Sequence, residues 1–134
     1  VRNLLSPSLN VSIIDDDESV RTATSRLVRS LGWEARVYAS AEAFLASGQL
    51  CDTGCVISDV QMPGMNGLEL QRHLAAAGNE VPIIFISAFQ SDAAREQAIA
   101  RGALCFLLKP VDDGMIAQCL NSIRSSAAGS ALPP

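Results

Sequence analysis

The chain is short of cations. Among its 134 residues stand one lysine, Lys109, and one histidine, His73, and the formal net charge is −4. Affinity for nucleic acid rests largely on attraction to phosphates and would need a local basic patch. The arginines are scattered, so direct nucleic-acid binding by this chain is not expected. Long apolar runs are also missing. None approaches the roughly 20 residues that cross a bilayer, and the N-terminus lacks the charged-then-apolar pattern of a signal peptide. A soluble, cytoplasmic protein with no membrane partner is expected. Nor do the four cysteines form a metal array. Cys51 and Cys55 make a CxxxC with no second pair nearby, and a lone histidine does not complete the ligand set of a structural zinc. Cys55 and Cys105 sit in apolar strand-like runs and Cys119 at a core-facing helical position, which suits small buried hydrophobes in a reducing compartment. There is no internal repeat.

What is present is enough apolar residue, 49% of the chain, to build one compact core, and too few residues for two domains of ordinary size. Residues 1–10 (VRNLLSPSLN) read as a lead-in segment, 11–125 as the domain, and 126–134, within the small, proline-ended SSAAGSALPP, as linker or tail. Strands are predicted over 11–14, 34–38, 55–58, 82–87 and 105–108. Helices alternate with them. The first, about 19–31, carries Val20, Ala23, Leu27, Val28 and Leu31 on one stripe and stops at Gly32. The second is capped by Ser40 and reaches Ala46. The third runs over 68–77, the fourth opens at Ser91 or Asp92 and ends before Gly102, and the fifth covers about 112–125 with Ile116, Cys119, Leu120 and Ile123 inward. This alternation predicts an α/β fold with a parallel sheet covered on both faces. Ligands of such sheets bind beyond the carboxyl ends of the strands.

Those ends carry a chemical set: Asp15, Asp16 and Asp17 after the first strand, Asp59 in "CVISDVQMPGMNG" at the third, Ser87 at the fourth and Lys109 at the fifth. Converging carboxylates raise one another's proton affinity unless a cation joins them. An oxygen-rich site of this kind suits Mg²⁺, which keeps waters that a phosphate can replace. Lys109 and the Ser87 hydroxyl would then bind phosphoryl oxygens, and Asp59 would be the nucleophile that forms an acyl phosphate. Taken singly, each residue has a plainer reading. Asp15 to Glu18 could simply start a helix, Ser87 could be a cap, and Lys109 a solvated charge. Their joint arrival on one edge favours the chemical reading.

The segments "SIIDDDESVR", "ISDVQMPGMNGLEL", "PIIFISA" and "CFLLKP" together resemble the receiver domain of bacterial two-component response regulators, most closely the FixJ-like subgroup. The resemblance implies a flavodoxin-like doubly wound (βα)5 fold with strand order 2-1-3-4-5. It implies Asp59 as phosphoacceptor from a sensor histidine kinase or a small acyl phosphate. Mg²⁺, for which Mn²⁺ could substitute, would be held by Asp15, Asp16, Asp59 and the backbone carbonyl of Gln61, while Asp17 starts a helix. Ser87 would be the hydroxyl switch, Phe106 the aromatic switch, and Lys109 the phosphate's charge partner before a cis bond to Pro110. The surface of the fourth helix, fifth strand and fifth helix would carry output and phosphorylation-dependent dimerisation. The chain would be a self-phosphorylating and self-dephosphorylating switch, not a turnover enzyme. Its own output domain, of the helix-turn-helix DNA-binding kind, would follow the linker. The linker-like tail and the missing initiating Met fit a portion of a longer transcription regulator. Gly114, in the first turn of the last helix, departs from a good helix-forming pattern.

Three other readings compete. A haloacid-dehalogenase-type phosphatase also uses an Asp nucleophile and Mg²⁺, and Asp15-x-Asp17 imitates its motif, but that scheme leaves Asp59 and its Met-Pro-Gly loop without a role. A degenerate receiver would act as an interaction module and take up no phosphate, which the full polar set argues against. A flavodoxin-like cofactor binder is disfavoured because an anionic flavin phosphate would meet carboxylates.

Overall fold

The computed structural model describes residues 9–130, with side chains through Arg124. The elements are β1 Asn10–Ile14, α1 Glu18–Ser30, β2 Glu34–Tyr38, α2 Ala41–Ala46, a 3₁₀ turn Leu50–Asp52, β3 Cys55–Asp59, α3 Gly67–Ala76, β4 Ile83–Ser87, α4 Asp92–Ala100, β5 Cys105–Leu108 and α5 Asp113–Ser130. Every strand pair is parallel, and the order is β2-β1-β3-β4-β5. This is the predicted doubly wound α/β fold. β1, β3 and β4 are buried at all five positions, as strands covered on both faces must be. Alternate side chains feed two cores. Val11, Ile13, Cys55, Ile57, Ile84, Ile86 and Leu107 meet α1 and α5 through Val28, Ile116 and Leu120. Ile14, Val56, Ile83 and Phe85 meet Phe44, Leu70, Leu74 and Ala98 of α2, α3 and α4.

Side-chain caps place the helix starts. Asp17 accepts from the Ser19 and Val20 backbone, Ser40 from Ala43, and Ser91 from Ala94. Asn66 and Glu69 form a reciprocal capping box on α3. Three predictions need correction. First, α1 buries Thr24, Ser25 and Val28. Ala23 of the expected stripe is exposed, and Val20 and Leu27 are partly buried along a groove of about 540 Å³ between α1 and α5. Val28 is wholly buried with Leu27 and Leu31 packed against the same core layer, and Thr24 and Ser25 are buried beside it, the Ser25 hydroxyl satisfied by the Thr22 carbonyl. Second, the helix expected to end near 125 continues to Ser130. Third, Cys105 and Cys119 are not free core thiols but are joined as a disulfide. Positions 105 and 119 oppose each other where α5 packs on β5, with Cα atoms 6.8 Å apart, a proximity that 14 residues of separation do not reveal.

Residues 1–8 of the expected lead-in and 131–134 of the expected tail lie outside the described residues. Among the described residues, no helix is long and apolar enough to cross a membrane.

Candidate functional site

The parallel ladder brings the strand ends to one edge. Ile14 is in register with Ser58, Asp59 with Ile86, and Ser87 with Leu108. Asp15 therefore leaves β1 beside the end of β3, and Lys109 leaves β5 beside the end of β4, where its N–H donates to the Ser87 carbonyl at 2.8 Å.

At the centre Lys109 Nζ lies 3.1 Å from Asp15 Oδ2 and 3.2 Å from Asp59 Oδ2. Both carboxylates are buried, at 3% and 7% exposure. Each has its second oxygen held by the chain that follows it: Asp15 Oδ1 accepts from the Asp17 N–H at 2.9 Å, and Asp59 Oδ1 from the Gln61 N–H at 3.1 Å. Exposed Asp16 completes a set of three acids whose ligand atoms lie within 4.8 Å of one another. Burial raises the pKa of Asp15 above the usual carboxylate range, and the bonds from Asp17 and Lys109 offset this only in part. For Lys109, burial pulls downward, but the hydrogen bonds and charges of Asp15 and Asp59 together outweigh it and hold the amine above its ordinary value. Asp17 is different. Its carboxylate is exposed, caps α1, and is held low by the Ser19 hydroxyl and backbone.

Three carboxyl groups gather around one ammonium, and every donor they offer to a metal is oxygen. That composition fits a hard divalent cation better than a soft one. Asp15, Asp16, Asp59 and Lys109 are thus brought together as the sequence predicts.

Ser87 reaches the same edge, but its hydroxyl does not face Asp59. It donates to the Phe89 carbonyl at 2.9 Å and accepts from the Phe89 N–H at 3.1 Å. Phe106 is partly buried in β5 on the α3–α4 side, with its ring tilted against Phe85 at 6.2 Å between centroids. The Lys109–Pro110 bond is cis, in agreement with the resemblance.

The loop after Asp59 is held in part by an acid from a separate helix that carries no signal in the sequence. Glu42 Oε2, from the start of α2, accepts from the Met65 N–H at 2.9 Å. Gly64 lies at φ +75 directly under that carboxylate, where a Cβ would sit 2.5 Å from Glu42 Oε2. A Cβ on Gly67 would sit 2.5 Å from the Asp59 carbonyl oxygen, so glycine lets α3 start against the end of β3. Arg21 also went unnoticed. Its guanidinium donates to the Asp15 carbonyl at 2.8 Å and secures the turn after β1. In sequence Glu42 looks like an acid favourable to a helix start and Arg21 like a solvated helix residue, and neither carries a signal of its distant partner.

Known proteins place this arrangement. The response regulator receiver domain family model matches residues 11–121. The response regulator protein TmoT of Ectopseudomonas mendocina is 48% identical over 101 residues, which cover 75% of this chain and 46% of TmoT. The transcriptional regulatory protein FixJ of Azorhizobium caulinodans is 39% identical over 92% of this chain and 57% of FixJ. The crystal structure of a response regulator receiver protein from Burkholderia phymatum superposes with a TM-score of 0.72 at 42% identity, covering 88% of this chain and 94% of that one. The chain spans about half the length of the curated relatives it matches.

Proposed function

The chain belongs to the response regulator receiver domain family, with FixJ among its relatives, and from that premise we propose that it is a signalling switch phosphorylated on Asp59. The observation that carries the reading is the Lys109 ammonium held between the Asp15 and Asp59 carboxylates, at the one sheet edge where such folds bind ligands. Asp59 Oδ2 attacks the phosphorus of a phosphohistidine or acyl phosphate. The P–O bond to Asp59 forms as the bond to the donor's nitrogen or oxygen breaks, and the donor keeps the bonding electrons. Asp15, Asp16 and Asp59, with the Gln61 backbone carbonyl, would hold Mg²⁺ or Mn²⁺. When bound, the cation supplies positive charge against the phosphoryl oxygens.

The chain's own residues then respond to the new charge. A phosphoryl group adds close to two negative charges and several strong acceptors. Lys109 exchanges a carboxylate partner for a phosphoryl oxygen, and the Ser87 hydroxyl leaves the Phe89 backbone to donate to another. Ser87 is the hydroxyl switch in this reading, and Phe106 the bistable ring that changes rotamer with it. Signal leaves through the α4–β5–α5 surface, where Ile99, Leu104, Leu108 and Met115 are exposed apolar side chains. A phosphorylation-dependent homodimer through that surface, a sensor histidine kinase as donor, and a helix-turn-helix output domain that controls transcription complete the reading. Phosphate is taken up and released on the chain itself, so the chain is a switch and not a turnover enzyme.

The phosphatase alternative loses its second acid, because Asp17 caps α1 and is exposed. Incubation with acetyl phosphate and Mg²⁺, followed by intact mass measurement, tests the assignment. Wild type is expected to gain one phosphoryl group and Asp59→Asn none. No gain in wild type would instead indicate a degenerate receiver, and a gain that survives in Asp59→Asn but disappears in Asp15→Asn would revive the phosphatase.

A further inference from the structure

Cys105 opens β5 and Cys119 lies in the second turn of α5, and the two sulfurs are joined. Both side chains enter the core layer formed by Ile84, Leu107, Ile116 and Leu120. The bond therefore ties the strand that carries Phe106 and leads into Lys109 to the helix that closes the proposed output surface. Strand alternation sends Cys105 to the α1–α5 side and the adjacent Phe106 to the other, so the link and the ring sit on opposite faces of one four-residue strand.

Small secreted domains use disulfides to replace a core they cannot build. This fold does not need one for that purpose, since two apolar layers already cover the sheet. Of the two, Cys105 is the one toward solvent, being only partly buried, while Cys119 is 7% exposed. Neither remaining cysteine is placed to serve in its stead: Cys55 is wholly buried in β3 and Cys51 is exposed in the 3₁₀ turn. The joined pair coexists with Lys109 on both carboxylates and Ser87 turned to Phe89, which is the arrangement expected before phosphorylation.

We propose that Cys105 and Cys119 are a reversible thiol oxidation site, and that the closed disulfide favours the unphosphorylated arrangement of β5 and α5. The oxidant is a hydroperoxide. One thiolate attacks a peroxide oxygen, the O–O bond breaks, and a sulfenic acid forms with release of one water or alcohol. The second thiol attacks that sulfur, the S–O bond breaks, the S–S bond forms and water leaves. Two thiols lose two electrons and one peroxide gains them. A dithiol reverses the step by exchange. A cross-link made within one arrangement biases the equilibrium toward it by whatever strain it meets in the other. The inference rests on the reading of Asp59 and the α4–β5–α5 surface given above.

The full chain would be treated with hydrogen peroxide or dithiothreitol, denatured and alkylated, and its cysteines mapped by mass spectrometry. Alkylation at all four cysteines is expected after reduction, and only at Cys51 and Cys55 after oxidation. Both native forms would then receive acetyl phosphate and Mg²⁺, with phosphoryl gain read by intact mass before self-association is read by sedimentation. The oxidised form is expected to take up phosphate yet dimerise about tenfold more weakly than the reduced form. Cys105→Ser with Cys119→Ser is expected to dimerise like the reduced form under both treatments. Absence of a Cys105–Cys119 link after peroxide, or equal self-association of the two phosphorylated forms, would overturn the inference. Failure of the reduced form to gain phosphate would remove its premise, the Asp59 reading, and is visible in the earlier mass step.

Discussion

Asp15 carries a charge that the fold opposes. Its pKa is raised chiefly by burial, so the folded state holds the Asp15 proton more tightly than the unfolded chain does. The sign follows by linkage: protonated Asp15 favours folding below its ordinary value near 3.8, and that contribution is lost as pH rises through the raised folded value. At neutral pH without metal the ionised group is therefore a cost, kept for function. Asp15→Asn is expected to raise the melting temperature in EDTA, by about 4 °C per kcal/mol relieved in a domain of this size, and to abolish the rise that Mg²⁺ gives wild type. Calorimetry with and without Mg²⁺ checks both, and a variant less stable in EDTA that still responds to Mg²⁺ would contradict the charge balance. Lys109 behaves oppositely. Its folded pKa is raised, so its stabilisation is complete below the ordinary value of 10.5 and is lost as pH rises through the folded value. At pH 7, Lys109→Ala would leave Asp15 and Asp59 facing each other. Removal of one partner from a buried pair costs about 3 kcal/mol or more, and less here because the Lys109 side chain is 22% exposed. Urea unfolding is expected to show roughly 2 kcal/mol lost in EDTA, partly regained with Mg²⁺. The same variant is expected to take up some phosphate from acetyl phosphate without forming the dimer, and an unchanged phosphorylation-dependent dimer would count against the switch.

At the scale of elements, the β3–α3 connection decides where Asp59 points. The Asn66–Glu69 capping box fixes the first turn of α3, and Asn66→Ala is expected to cost about 1 kcal/mol by denaturant unfolding. Gly67→Ala belongs to another class. Its Cβ would fall 2.5 Å from the Asp59 carbonyl oxygen and 3.0 Å from the Phe85 ring, so the strand end itself must shift. We expect it to slow phosphoryl uptake as well as lower stability, whereas Asn66→Ala should affect stability alone. Equal uptake rates in the two variants would show that the close approach does not position Asp59. These elements also mark what the sequence made legible. Most strands announced themselves as apolar runs, and two helix starts were legible at Ser40 and at Ser91 or Asp92, because both signals are local. The buried face of α1 was legible only in part: Leu27, Val28 and Leu31 pack on the core as the stripe implies, whereas Thr24 and Ser25 are buried beside them, which a hydrophobicity stripe does not register. Glu42 under the Met65 N–H and Cys119 against Cys105 escaped notice for a related reason. Each contact depends on how two separate elements are laid together.

For the molecule as a whole, one end of the sheet holds charge and one side exposes apolar surface. Asp15, Asp16, Asp59, Ser87 and Lys109 were legible as a set because a doubly wound fold delivers every strand's carboxyl end to the same edge. The state of that set was not legible: the Ser87 hydroxyl is turned to Phe89, away from Asp59, a choice made by side-chain geometry after the backbone is fixed. If the α4–β5–α5 surface is the output face, Ile99→Glu on α4 should leave phosphoryl uptake unchanged and weaken the phosphorylated dimer by about tenfold or more, because a desolvated charge replaces an apolar contact. Sedimentation of the phosphorylated variant would read this, and an unaltered dimer would move the interface elsewhere. Everything rests on where the phosphoryl group lands. The most direct measurement is borohydride trapping, which reduces an aspartyl phosphate to homoserine, followed by peptide sequencing in the mass spectrometer. Homoserine at position 59 after treatment with acetyl phosphate and Mg²⁺ is the result we expect, and homoserine at 15 or 16, with Asp59 intact, would contradict the assignment.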